Sequence, residues 1–156
     1  MTTTRPEPSP SNGYHAAHVR LLCESFERLT GQPLLGVSDE RALAAFNAPF
    51  VLVSHNTAAD PIFNYANRQA LELFELTWAQ MVALPSRKSA EPVERAERER
   101  LMHRVRNDGF IDDYAGIRVT STGRRFRIEQ AVVWNLIDDD GKLQGQAATF
   151  ANWTFL

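Results

Sequence analysis

The stretch FVLVSHNTAADPIFNYANRQALELF, residues 50–74, decides the fold. Phe50-Val51-Leu52-Val53-Ser54 is a compact β-branched and aromatic run, and Pro49 before it and His55-Asn56-Thr57 after it bound a buried strand. Asp60-Pro61 makes a turn, and Ile62-Phe63-Asn64-Tyr65 follows as a short second strand, so the two form a hairpin. Asn67 stands where its side chain caps a helix carrying Ala70, Leu71, Leu73 and Phe74.

Downstream, Thr77 caps a further helical turn with Trp78, Met81, Val82 and Leu84, and Pro85 stops it. Residues 85–92 read as a loop, and residues 91–106 as a heavily charged helix with the sparse apolar stripe Val93, Leu101, Met102 and Val105, ended by Asn107-Asp108-Gly109. The period then changes from helical to two. Residues 114–120, 124–137 and 142–153 are extended segments separated by Thr122-Gly123 and by Asp138-Asp139-Asp140-Gly141, a three-stranded antiparallel meander. In the long strand, Phe126, Ile128, Gln130, Val132 and Trp134 alternate with Arg127, Glu129, Ala131, Val133 and Asn135, placing the first set on one face.

Upstream, Ala17, Leu21, Leu22, Phe26 and Leu29 recur at helical spacing over residues 14–29, with Thr30-Gly31 and Pro33 as the stop. This amphipathic stripe calls for burial against the sheet or a second copy of the chain. A short helix starts at Ser38 and runs to Phe46. Residues 1–13, rich in proline, serine and threonine, read as a disordered tail, and residues 14–156 as one domain.

Composition limits the function classes. At 156 residues, 44% hydrophobic and 23% charged, the chain is ordinary globular material for one domain. No apolar run approaches a membrane span and the N-terminus lacks the pattern of a signal peptide, so a cytoplasmic location without membrane contact is expected. A net charge of −2 argues against nucleic-acid binding by this chain. The single cysteine, Cys23, fits a reducing compartment.

The element order of two strands, several short helices and three strands resembles the PAS fold, which is α+β: a five-stranded antiparallel sheet with short helices over one face, here with an added N-terminal amphipathic helix. Particular words narrow the resemblance: Ala48-Pro49-Phe50-Val51, Ser54-His55, Ala59-Asp60-Pro61-Ile62-Phe63-Asn64-Tyr65, Pro85-Ser86-Arg87-Lys88-Ser89-Ala90-Glu91-Pro92, Gly109-Phe110-Ile111-Asp112-Asp113-Tyr114 and Trp134-Asn135-Leu136. Over residues 14–153 these are similar to the MEKHLA domain family, known as stand-alone bacterial and algal proteins and as the C-terminal module of plant class III homeodomain-leucine zipper factors. The stand-alone type is the one expected here, since the sequence holds neither homeodomain nor zipper. The resemblance implies sensing and dimerisation, not transcription, and carries over no ligand and no binding residue.

The PAS resemblance also brings cofactors to test. Light-oxygen-voltage photochemistry needs a cysteine in the loop over the flavin, and Pro85-Ser86-Arg87-Lys88-Ser89 has none, which excludes the covalent adduct though not a non-covalent flavin. Haem needs an axial donor, and His103 in the charged helix, flanked by Glu99, Arg100 and Arg104, reads as solvent-facing. His15, His18 and Cys23 are too few for a closed metal site. His55 beside Asp60 could suggest acid–base work, but an imidazole at a strand end more often bonds backbone. The aspartate run at 138–140 lacks the glutamate of a calcium loop and reads as a hairpin turn. No nucleophile elbow, phosphate loop or zincin helix is present, so the chain is not read as an enzyme and no cofactor is assigned.

What remains is a polar set, Arg87, Ser89, Tyr114, Arg118, Gln130 and Gln146, among the aromatics Phe63, Trp78, Phe126 and Trp134. With the Phe126-to-Trp134 face turned toward the helices, the expected ligand site is lined by Phe63, Trp78, Phe126, Gln130 and Trp134, with Arg87 and Tyr114 at its mouth. Arg87 could instead anchor its own loop on Glu91 or on carbonyls. The function expected is signal sensing or protein interaction with a small molecule in the cup between sheet and helices, the partners being that ligand and a second copy of the chain. A ligand-free dimerisation module, a haem- or flavin-binding sensor and a small α+β enzyme stay open.

Overall fold

Asn67, fully buried, knots the decisive stretch together in the computed structural model, which describes residues 5–35, 40–90 and 95–156. Its Oδ1 accepts from the backbone N–H of Ala70, capping the helix as expected, and from that of Leu52, both at 3.1 Å. Its Nδ2 donates to the carbonyl oxygens of Ala45 at 3.1 Å and Phe50 at 2.8 Å. One amide thus satisfies orphan groups from a helix end, a strand and a helix start.

In chain order the elements are α1 (Ala16–Thr30), α2 (Arg41–Phe46), β1 (Val51–His55), β2 (Phe63–Ala66), α3 (Arg68–Phe74), α4 (Trp78–Met81), α5 (Arg95–Asp108), β3 (Phe110–Val119), β4 (Arg125–Ile137), β5 (Leu143–Phe150) and β6 (Asn152–Phe155), with 3₁₀ turns at Pro10–His15 and Ser86–Ser89. The sheet is antiparallel with the order β2-β1-β5-β4-β3. β6 continues the line of β5 beyond a bend at Ala151 and pairs with the first half of β4, so the last expected strand is two. Ser38 and Asp39, expected to open the second helix, and residues 91–94, expected to open the charged one, lie outside the described residues.

The clean alternation expected along β4 breaks at Gln130, whose φ is +53°. Tyr114 pairs with Ala131 and Gly116 with Ile128, so β4 carries one residue more than β3 across this interval. Such a bulge shifts the side-chain phase by one. Phe126 and Ile128 face the helices α3 and α5, but beyond the bulge Ala131, Val133 and Asn135 take that face, and Trp134 turns to the other.

α1 covers that second face. Val19, Leu22, Cys23 and Phe26 are buried, and the Phe26 ring meets the Trp134 indole edge-on with centroids 4.9 Å apart. Ser25 Oγ exchanges hydrogen bonds with both backbone groups of Ile137, at 3.0 and 3.2 Å. Each large apolar side chain buried here stabilises by about 1.5–3 kcal/mol, so most of the stripe is satisfied within the chain, with Leu21 and Leu29 half-buried and Ala17 exposed. The helix stops at Gly31, whose φ of +73° only glycine adopts freely.

Residues 5–13 differ from the disordered tail expected of them; residues 1–4 lie outside the described residues. The Trp78 indole donates to the carbonyl oxygen of Arg5 at 2.8 Å, His15 Nε2 donates to that of Pro6 at 2.7 Å, and Pro8 is buried. Composition alone misses this because the apolar surface that receives the segment, Trp78 with the His15 ring packed edge-on at 5.3 Å, comes from elsewhere in the chain.

Candidate functional site

Between the inner sheet face and the helices α3 and α5 lies a cavity of about 90 Å³. Val53, Phe63, Phe74, Leu101, Met102, Ala131 and Val133 make its apolar wall. At ~10–15 Å³ for each water-sized group, it holds roughly six of them, the size of a small organic molecule.

Its polar groups come from β1, the 3₁₀ turn at Ser86–Ser89, α5, β3 and β5. α5 supplies Arg98, 5% exposed, whose guanidinium donates to Ser86 Oγ and lies 3.4 Å from Glu99 Oε1. β3 supplies Tyr114 and Arg118. The Tyr114 ring folds over Gly116, where a Cβ would collide with the phenol, and the Arg118 guanidinium stands 5.4 Å from the ring centroid. β5 supplies Gln146, whose Nε2 donates to Asn135 Oδ1 at 3.1 Å and to the α5 carbonyl of Met102 at 3.4 Å, while Asn135 Nδ2 donates to the carbonyl of Val105. Tyr114 Oη and Gln146 Oε1 are both buried without a hydrogen bond of normal length among the described residues, although the His55 ring lies close enough to Gln146 for their hydrogen bonding to oppose the effect of burial on His55. His55 borders the same space, its basicity lowered by burial, with Nδ1 bonded to the carbonyl of Asn56 at 2.9 Å, the backbone role expected of it.

Of the seven residues expected at the site, two line the cavity. Phe63 and Tyr114 stand in the wall, and Phe126 stands behind Phe74 at 5.4 Å. Trp134 and Gln130 do not: the bulge turns Trp134 onto α1 and leaves Gln130 exposed, where its Oε1 accepts from Asn152. Trp78 is held under the N-terminal segment, and Arg87 pairs with Asp60 at 3.0 Å, anchoring its loop on a carboxylate other than the one expected. Of the wider polar set, Ser89, Arg118 and Gln146 line the cavity; Arg98 and Ser86 were missed. The signal for Arg98 was present, since it lies three, four and seven residues before Leu101, Met102 and Val105 on the inward stripe of α5.

The remaining candidates lie elsewhere. His103 is exposed and bonds Asn107 at 3.1 Å. His18, on the α1 side, bonds Ser54 Oγ at 2.8 Å while Ser54 donates to Asn64 Oδ1 at 2.5 Å. Ser54 therefore accepts from Nε2–H of a neutral imidazole, whose pKa burial pushes down to about 3. With its proton committed to Asn64 and only 1% exposure, Ser54 is no nucleophile.

Residues 16–155 match the model of the MEKHLA domain. The chain belongs to the MEKHLA domain family. Among curated relatives, it is 27% identical over 146 residues to homeobox-leucine zipper protein ATHB-9 of Arabidopsis thaliana, covering 88% of the chain and 17% of that protein. It is likewise 27% identical over 155 residues to HOX29 of Oryza sativa subsp. indica, covering 95% of the chain and 18% of that protein. The chain therefore spans under a fifth of the length of these relatives, which are plant homeobox-leucine zipper proteins and not the stand-alone bacterial or algal type expected.

Solved structures place the fold. The PAS domain of a protein from Colwellia psychrerythraea superposes with a TM-score of 0.61 at 15% identity, covering 75% of this chain and 94% of that one. The light-state dimer of the fungal blue-light photoreceptor Vivid superposes with a TM-score of 0.59 at 14% identity, covering 96% and 98%. The MEKHLA domain thus has the PAS fold of light-oxygen-voltage domains. Its residues do not fit a photoreactive flavin: Cys23 sits on α1, across the sheet from the cavity, with its thiol pKa pushed up to about 11 by burial. The cavity itself is also well below the roughly 300–1,000 Å³ of cofactor-sized pockets. No helix of the described residues is long and apolar enough to cross a membrane.

Proposed function

We propose that this MEKHLA domain is a sensory module that holds a small molecule between the inner sheet face and α3 and α5, and reports its occupancy through α5. One observation carries this reading: Tyr114 Oη and Gln146 Oε1, from different strands, are both buried without a hydrogen bond of normal length among the described residues, and their side chains line the same cavity. Buried polar atoms in native proteins are almost always satisfied, so two orphans at one cavity mark a place for a third party. Gln146 is also the side chain that bonds α5 through the carbonyl of Met102. A molecule that engages its free oxygen stiffens the link holding α5 to the sheet, and adds stability to the closed arrangement by mass action.

The likeness to a light-oxygen-voltage receptor, to the blue-light photoreceptor Vivid and to homeobox-leucine zipper proteins supports a module that informs other domains over a catalyst. Dimerisation through the stripe of α1 is not part of this reading, because β4 of the same chain covers most of that stripe. Native mass spectrometry of the gently purified protein tests it. The expected result is a mass above that of the bare chain that is lost on denaturation and reduced in Gln146→Leu. Bare chain alone, with no thermal shift across a panel of small metabolites, overturns it.

A further inference from the structure

Two guanidinium groups line the cavity, and among the described residues no carboxylate does. Arg98 is 5% exposed and Arg118 is 8% exposed. The partners of Arg98 are the neutral hydroxyl of Ser86 and the carboxylate of Glu99, which is 70% exposed and therefore screened by water. Arg118 donates to the carbonyl of its own neighbour Ile117 at 2.9 Å and faces the Tyr114 ring. Two like charges thus share a water-poor wall without a buried counter-ion, an arrangement that is costly unless an anion arrives. The consequence reaches Arg98 itself, which is pulled down to about 10, by burial first and by the charge of Arg118 second.

The geometry points to a small carboxylate as the occupant, its oxygens held by Arg98 and Arg118, with a hydroxyl or ammonium group of the same molecule donating to Gln146 Oε1. This rests on the cavity being a ligand site, as proposed above. A guanidinium fork matches the planar pair of carboxylate oxygens, and Tyr114 Oη has a free proton to add to them. Gln146 Oε1 can only accept, from the His55 ring beside it or from a donor on the ligand. The apolar remainder of the wall, Leu101, Met102 and Val133, and the volume of about 90 Å³ suit a short aliphatic body. A short hydroxy or amino acid has all of these parts.

A route exists. Arg98 and Met102 also border a surface cleft shared with Asp60, Arg87, His103 and Arg106, so these two side chains partition the cavity from the cleft. The cleft sets Arg87, Arg98 and Arg106 against Asp60 and Glu99, which leaves a small positive excess toward an anion.

Calorimetry and thermal shift on the full chain, at matched ionic strength, test the charge of the occupant. The probes are lactate, glycolate and 3-hydroxybutyrate, each beside its neutral amide, and alanine beside alaninamide, which keeps the ammonium but lacks the carboxylate, with inorganic phosphate as a further anion. The expected result is that at least one acid binds and raises the melting temperature, that its amide binds at least tenfold more weakly, and that Arg118→Gln lowers the acid affinity at least tenfold. Arg98→Gln should do the same; if it fails to fold, Arg118→Gln decides. Equal binding of acid and amide, or no change in Arg118→Gln, overturns the carboxylate while leaving the ligand site standing. Phosphate binding more tightly than every acid also overturns it. If no probe binds but a molecule co-purifies, a compound with a free carboxylate supports the inference and one without a carboxylate overturns it. A bare chain that no probe shifts overturns both this inference and the sensory reading.

Discussion

The indole N–H of Trp134 donates to the carbonyl oxygen of Leu22 across 3.2 Å, joining the middle of α1 to the outer face of β4. Both residues are fully buried. Trp134→Ala should therefore cost about 3–5 kcal/mol as a large-to-small core change. Trp134→Phe, which keeps a ring against Phe26 but loses the donor, should cost about 1–3 kcal/mol. Urea denaturation measures both. Since Trp134 faces away from the cavity, Trp134→Phe should bind any acid that the parent binds with unchanged affinity, and a large loss would place the indole at the ligand after all.

Acid should weaken the fold through His18. Burial, with smaller contributions from the charges of Arg5 and His15, lowers its pKa from 6.5 to about 3, so the native state keeps the ring neutral while the unfolded chain takes up a proton below about pH 6.5. The stability from His18 is present in full above that pH and is lost as pH falls toward 3, at up to about 1.4 kcal/mol per pH unit. His15 and His55, also lowered by burial, act with the same sign. In His18→Gln the amide can still donate to Ser54 but does not titrate. Its urea midpoint should fall less steeply than the parent's between pH 6.5 and 4.5, and parallel slopes would show that His18 does not carry the effect.

Gly116 leaves the room in which the Tyr114 phenol lies. Gly116→Ala should displace the ring and cost about 1–3 kcal/mol through overpacking. In a Tyr114→Ala background the same change should cost much less, giving a coupling energy of about 1 kcal/mol or more in a double-mutant cycle. Additive effects would mean that the ring does not occupy this space.

Removing residues 1–13 should lower the melting temperature, because Trp78 Nε1 and His15 Nε2 lose the carbonyl acceptors of Arg5 and Pro6. With the segment gone the two donors turn to water, so the loss is that of two net hydrogen bonds, about 0.5–1.5 kcal/mol each, together with the burial of Pro8. Trp78 emission should shift to the red in the truncated chain, read in a Trp153→Phe background where Trp134 stays buried. Unchanged melting and emission would return the segment to the status of a passive tail.

The sequence by itself determined every element that rests on local chemistry. Pro49, Asp60-Pro61, Asn67, Thr77, Thr122-Gly123 and Asp138 act through their own dihedrals or caps on backbone a few residues away, so the β1–β2 hairpin, the capped helices and the meander are legible without a partner in view. Tyr114, Arg118 and Gln146 were legible as polar groups that a cup would have to accommodate.

Only the tertiary structure decided which face each residue takes. The left-handed turn at Gln130 is imposed by pairing with β3 and by the switch of β4 from β6 to β5, contacts made by residues distant in sequence. That single backbone step sends Trp134 to α1 and Ala131 and Val133 to the cavity, reversing half of an alternation that looked unbroken. Arg98 belongs to the site for the same kind of reason. A charged residue on a charged helix reads as solvated, and only the closing of α5 over the sheet removes water from its guanidinium and sets it in a wall with Arg118.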